Sequence, residues 1–195
     1  IKYDSSGGIS MSSIIRVDSV QTSTGGTATA SGLGIGGVGK IGQVIQTTKT
    51  DTFSTSASSF IDITGLSLSI TPTATSSKVL IKTCISWGGS PNVYGYGKFV
   101  RGSTDIFMGD YGGGNRVSGT FPMEATSHST VTYNCFVSSS EFLDSPSSNV
   151  QLNYKIQVRT HDGSHTFYVN RPENNNNNNY IGRFTSTITA MEVLA

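Results

Sequence analysis

The chain reads as an all-β protein: an antiparallel β-sandwich of jelly-roll type preceded by an extended Gly/Ser/Thr-rich N-terminal arm. Three observations predict this. Val79, Ile81, Thr83, Ile85 and Trp87 alternate with Lys78, Leu80, Lys82, Cys84 and Ser86, and Val150 to Val158 alternate with Gln151 to Arg159 in the same way. A period of two turns one strand face to a core and leaves the other wet. Turn signals punctuate such runs, and no segment sustains the 3.6-residue period of a helix. Short strands joined by long loops then favour a closed double sheet.

The first element is the arm, residues 1–40. It holds one short alternating piece, Ile14 to Val20, and from Thr22 to Gly42 it is almost entirely Gly, Ser, Thr and Ala. Such a stretch buries too little apolar surface to offset its ordering entropy, so it needs a partner. The expectation is attachment or oligomerisation, with small residues letting backbones approach closely. Residue 1 is Ile rather than Met, and no charged-then-apolar secretory segment stands there, so the chain is read as processed or as part of something longer.

Residues 41–195 form the expected β-domain. Strands are expected at Ile41 to Thr48, Ser59 to Ile70, Lys78 to Trp87, Lys98 to Val100, Asp105 to Met108, Thr130 to Val137, Val150 to Arg159, Thr166 to Asn170 and Thr185 to Leu194. Within the second, Ile61 and Ile63 keep one phase and Leu66, Leu68 and Ile70 the other, which predicts a β-bulge at Gly65. Thr71 to Ser77, with Pro72, marks a hairpin or a sheet-to-sheet corner. Gly102-Ser103 and Asp162-Gly163 signal two-residue hairpins, while Gly112 to Asn115 and Ser145 to Ser148 are loops. The six asparagines from Asn174 to Asn179 form a solvated insert between two strands.

Composition narrows the function. Charged residues make up 13% of the 195, and 13 Lys+Arg against 12 Asp+Glu leave a net charge of +1. This argues against nucleic-acid binding, which needs clustered cations to release counterions. Membrane insertion is not expected either, since no apolar run approaches the ~18 residues of a spanning helix. The two cysteines, Cys84 and Cys135, sit in strand-like alternation and read as small packing residues rather than a disulfide.

Gly34 to Ile41 matches two phosphate-loop expressions on paper, but Ile41 stands where a magnesium-binding hydroxyl belongs, and no strand precedes and no helix follows. His161 and His165 flank the Asp162-Gly163 turn. In a two-residue hairpin their rings would point to opposite faces, so one chain would make no metal site from them. No G-x-S-x-G elbow is present and the carboxylates are scattered, so neither catalytic residues nor a cofactor are expected. Paired acids for glycan processing remain a third alternative, because their separation is a matter of three-dimensional geometry. Aromatics beside Asn and Asp on glycine-bearing loops can stack on and hydrogen-bond sugars. On that ground Trp87, Asn92, Tyr94, Tyr96, Asp110, Tyr111 and Asn115 are the candidate ligand-binding loops, against the plainer reading that these rings cap the sandwich.

Lys40 to Thr55, continuing through Ile63 to Pro72 and Ser77 to Ile81, resembles the C-terminal domain of tail-fibre-like virion proteins of marine bacteriophages, including those of cyanobacteria. Tyr168 to Arg171 and Ser186 to Val193 fit the same family, and Met11 to Thr22 resembles the start of its short members. Residues 1 to 10 and the asparagine insert depart from the family pattern. The resemblance implies a homotrimeric knob on the virion surface, attached to other virion proteins by its N-terminal arm. Its function would be non-enzymatic, with the β-domain recognising the host cell surface, for example a surface glycan. The alternative is a capsid decoration or filament-forming subunit.

Overall fold

The computed structural model describes residues 40–125 and 131–195. The rest of the arm, with most of the glycine-rich motif that ends at Lys40, lies outside the described residues, as does His128. Residues Gly39–Ala195 form a compact unit of their own.

The described residues of this unit form eleven strands: β1 (Ile41–Lys49), β2 (Phe53–Thr55), β3 (Ile61–Ile70), β4 (Lys78–Gly89), β5 (Val93–Arg101), β6 (Thr104–Ile106), β7 (Phe121–Ala125), β8 (Phe136–Asp144), β9 (Leu152–Thr160), β10 (Phe167–Val169) and β11 (Ser186–Val193). The one helical turn among the described residues is a 3-10 turn at Val131–Tyr133. Every pairing is antiparallel.

β4 is the axis of one sheet. Its Val79–Trp87 stretch pairs with β8 along one edge; along the other it pairs with β11 over Lys78–Cys84 and with β10 over Trp87–Gly89. β1 adds to β11 and β2 to β10, so first and last strands form one long ribbon broken at the same place. The second sheet runs β3-β9-β5, with β7 and β6 sharing the far edge of β5. Counting the broken strands once, the orders first-last-third-sixth and second-seventh-fourth-fifth are those of a jelly roll.

The inward faces make one apolar core. Ile63, Leu66 and Ile70 of β3, Val79, Ile81 and Ile85 of β4, Tyr154, Ile156 and Val158 of β9, and Ile188 and Ala190 of β11 are all buried in it. Gly65 is the expected bulge: it takes φ +84°, and the β3–β9 register slips between Asp62 and Ser67. The chain there must enter the left-handed region, which glycine does without the penalty of a Cβ. Thr71 to Ser77 is a corner between sheets, and Gly102-Ser103 joins β5 to β6 as a two-residue hairpin with Gly102 at φ +61°.

Three expectations need correction. Of the strand expected from Thr130 to Val137, Thr130 lies outside the described residues, Val131–Tyr133 form a 3-10 turn and Phe136 and Val137 open β8, while β2 and β7 fall outside the expected strands. The Asp162-Gly163 segment is not a hairpin: β9 and β10 belong to different sheets, so the chain crosses layers there. Cys84 lies exposed on the outer face rather than packed inside; Cys135 is half-buried, and both thiols are free.

One polar bracket ties the layers, and a second closes the break within one sheet. Arg101 of β5 and Tyr154 of β9, cross-strand partners, both reach Asp144 at the end of β8 in the opposite sheet. The Arg101 Nη1 donates to the carboxylate oxygens at 2.7 and 2.6 Å and the Tyr154 hydroxyl donates at 2.6 Å. At the break in the outer ribbon, buried Asn170 donates to the carbonyls of Lys49 and Asp51, and its Oδ1 accepts from Ser186.

Candidate functional site

The sequence-selected residues fall into separate settings. Trp87 is a core ring, 3% exposed, between Phe136 and Phe167 at 4.9 and 5.6 Å, and its Nε1 donates to Ser138 Oγ at 3.0 Å. It offers no ligand surface, which corrects the expectation for this ring: it stands in the inward phase of β4, and β8 and β10 cover it on both sides. Asn92, at φ +65°, is exposed in the β4–β5 turn. Tyr94 follows, 43% exposed, edge-on to His161 at 5.1 Å. Tyr96 is half-buried and lines a small hollow of about 180 Å³ with Val117, Gly119, Phe121 and Pro122.

Asp110, Tyr111 and Asn115 lie on the loop between β6 and β7, all exposed. Gly112, Gly113 and Gly114 have φ of +60°, +77° and +72°. The Tyr111 hydroxyl donates to the Gly114 carbonyl at 2.6 Å, and the Arg116 guanidinium donates to those of Gly112 and Gly113. Three consecutive left-handed residues make a tight coil that needs glycine, and Tyr111 is turned inward onto its own loop.

Asn92 and Tyr94 do have a neighbour the sequence reading separated from them, the β9–β10 crossing. Ser90 N donates to the Thr166 carbonyl at 3.0 Å, Thr166 N donates to Ser90 Oγ at 2.8 Å, and Tyr94 N donates to His161 Nδ1 at 3.4 Å. Within the crossing, Asp162 Oδ1 accepts from the N–H groups of Ser164 and His165 at 2.9 and 3.2 Å. Its Oδ2 lies 2.7 Å from His165 Nδ1 and 3.3 Å from His161 Nε2, and the two imidazoles stack at 5.1 Å. Partial burial opposes ionisation of Asp162, but the Ser164 N–H, the His165 ring and the His165 N–H outweigh it and hold the carboxyl at about 2. The expectation that the two rings face apart is therefore overturned: a layer crossing does not alternate faces as a hairpin strand does.

The outer face of the β4 sheet carries a concavity of about 710 Å³, which sequence reasoning missed. Val44 and Gln46 of β1, Thr189 and Met191 of β11, Lys82 and Cys84 of β4 and Ser139 and Glu141 of β8 line it. Lys82 and Glu141 pair at 3.1 Å in solvent, and Gln46 Nε2 donates to Thr189 Oγ1 at 2.8 Å. An exposed pair of this kind contributes little to stability. The signal was present as the outward phase of four strands, but only their adjacency makes a surface of it.

No family model matches the chain, and no curated protein matches it. Among solved structures it is similar to a chain in the structure of infectious bursal disease virus Gx strain, with 13% identity and a TM-score of 0.37. The match covers 78% of this chain, which spans about 37% of the length of that one.

Proposed function

We propose that the protein is a non-enzymatic structural protein of a virion appendage, fibre-like and homotrimeric, whose β-domain presents its surface to the host cell. The observation that carries this reading is where the tail-fibre-like wording falls in the fold. Lys40 to Thr55, Ser77 to Ile81, Tyr168 to Arg171 and Ser186 to Val193 are distant in sequence, yet β1, β2, β4, β10 and β11 share one sheet, and Ile63 to Pro72 supplies β3 of the facing sheet and the corner that leads into β4. The stretches that carry the resemblance thus fall on the scaffold of the sandwich, and they support an architecture and a virion role more than any ligand. A low-charge surface of Ser, Thr and Asn on a jelly roll suits a durable extracellular part, and the Gly/Ser/Thr arm suits winding against two further copies.

The test is native mass by light scattering on the full chain, together with adsorption of fluorescently labelled protein to a panel of marine bacterial and cyanobacterial cells. A discrete species at three times 20.6 kDa that binds some strains saturably is the expected result. Open-ended polymers would favour the filament subunit instead. Release of reducing sugar from surface polysaccharide would overturn the non-enzymatic assignment.

A further inference from the structure

We propose that His161, Asp162 and His165 form a binding site for a divalent transition-metal ion of the zinc class, a property separate from the virion role above. One carboxylate oxygen and one nitrogen from each imidazole lie within 4.8 Å of one another. Ligands bound tetrahedrally at ~2.1 Å stand about 3.4 Å apart. His161 Nε2 to Asp162 Oδ2, at 3.3 Å, already meets that spacing, the 2.7 Å His165 contact opens slightly, and the two imidazoles bring their ligand nitrogens to within 4.8 Å of each other. Two imidazoles and one carboxylate suit zinc, nickel or copper rather than magnesium or calcium, which prefer all-oxygen sites.

The crossing is built to hold these groups. Asp162 spends Oδ1 on the Ser164 and His165 N–H groups, so Oδ2 is aimed at the rings by the backbone itself. The buried Thr160 hydroxyl donates to the Ser56 and Ala57 carbonyls and accepts from Gly163 N, pinning the turn to the segment after β2. Supporting bonds of this kind keep ligands in place before the ion arrives. All three side chains are about 30% exposed, leaving an open position for water and a path of entry. Tyr94 N faces His161 Nδ1 at the long distance of 3.4 Å. Metal on Nε2 moves the ring proton to Nδ1 and opens that weak contact.

The experiment is calorimetric titration of the full chain with zinc chloride, repeated with nickel and magnesium chlorides. One zinc ion per chain is expected, nickel competing and magnesium silent. His165→Ala and Asp162→Asn should each weaken zinc at least about tenfold. Asp162→Asn keeps a side-chain oxygen for the Ser164 and His165 N–H groups, so its melting curve checks that the loop still folds. A Cys84→Ser/Cys135→Ser double variant should bind zinc like the parent. Absence of zinc binding, parent-like affinity in either His165→Ala or Asp162→Asn, or loss of binding in the cysteine variant would each overturn the assignment.

Discussion

Asp144→Ala removes the acceptor at the centre of the bracket between the sheets. The carboxylate is 5% exposed and takes both Arg101 bonds and the Tyr154 hydroxyl. Its loss leaves the Tyr154 hydroxyl, on a ring 1% exposed, with no acceptor, at about 1–3 kcal/mol. Arg101 keeps a quarter of its side chain in solvent and can rehydrate, so the ion-pair loss falls below the ~3–5 kcal/mol of a wholly buried pair. Together these set the cost of Asp144→Ala at roughly 3 kcal/mol. Tyr154→Phe deletes one charge-assisted bond while Asp144 keeps Arg101, at about 1.5 kcal/mol. The double variant should then be less destabilised than the sum by on the order of 1 kcal/mol, because once Asp144 is gone the Tyr154 hydroxyl is itself a liability. Urea denaturation of parent, both singles and the double, with an unchanged m-value, measures this. Strict additivity, or an Asp144→Ala cost below about 1 kcal/mol, would refute the claim that this bracket joins the layers.

Glu192 is fully buried on β11. Desolvation raises its pKa, but bonds from Gln43 and from the Thr73 N–H and hydroxyl outweigh this and depress it from 4.5 to about 2. A depressed folded-state pKa gives stability that is complete above the unfolded value and lost as pH falls, so the parent should weaken between about pH 5 and pH 2. Glu192→Gln should flatten that part of the curve. Gly65→Ala should cost about 1–2 kcal/mol by thermal melting; a new Cβ meets the Lys49 side chain at 3.6 Å, an ordinary van der Waals contact, so the cost is the φ of +84° alone. Ellman titration of the native protein should show Cys84, exposed, reacting quickly, and Cys135 slowly, because burial pushes its thiol up to about 11. Equal rates for the two would contradict the placement of β4's outward face.

What the sequence disclosed depends on how each strand is buried. β3, β4, β9 and β11 have aliphatic inward faces, so alternation exposes them, and Gly65 betrays its bulge because the phase changes there. β8 hides because its inward phase runs Phe136, Ser138, Ser140, Phe142, Asp144, with the polar members serving Trp87, Arg101 and Tyr154. β7 hides because Pro122 argues against a strand; it is tolerated where β7 has β5 as its one neighbour. The histidine pair was misread for a topological reason: local spacing cannot tell a hairpin from a crossing between layers, and only the long-range order of β9 and β10 decides it.

The place of the asparagine insert follows from the same topology. β10 and β11 are halves of one strand, and the interruption falls opposite the break between β1 and β2, where no ladder partner is lost by leaving the sheet. The exit and return are held at a neck. Phe184 N donates to the Asn170 carbonyl, Ser186 Oγ bonds Asn170 Oδ1, and Ser86 N donates to Ser186 Oγ. Asn170 takes φ +64° there, a left-handed turn that asparagine adopts more readily than most residues. Past the neck, Arg171 and Pro172 cross so close to Gly88 that a Cβ on it would stand 2.7 Å from their backbones. A glycine at Gly88 is therefore what lets the insert leave the sheet while β4 stays intact beneath it. Sequence changes from Asn175 to Tyr180, all exposed, reach solvent without disturbing the ribbon, whereas changes at Gly88, Asn170 or Ser186 act on the scaffold itself.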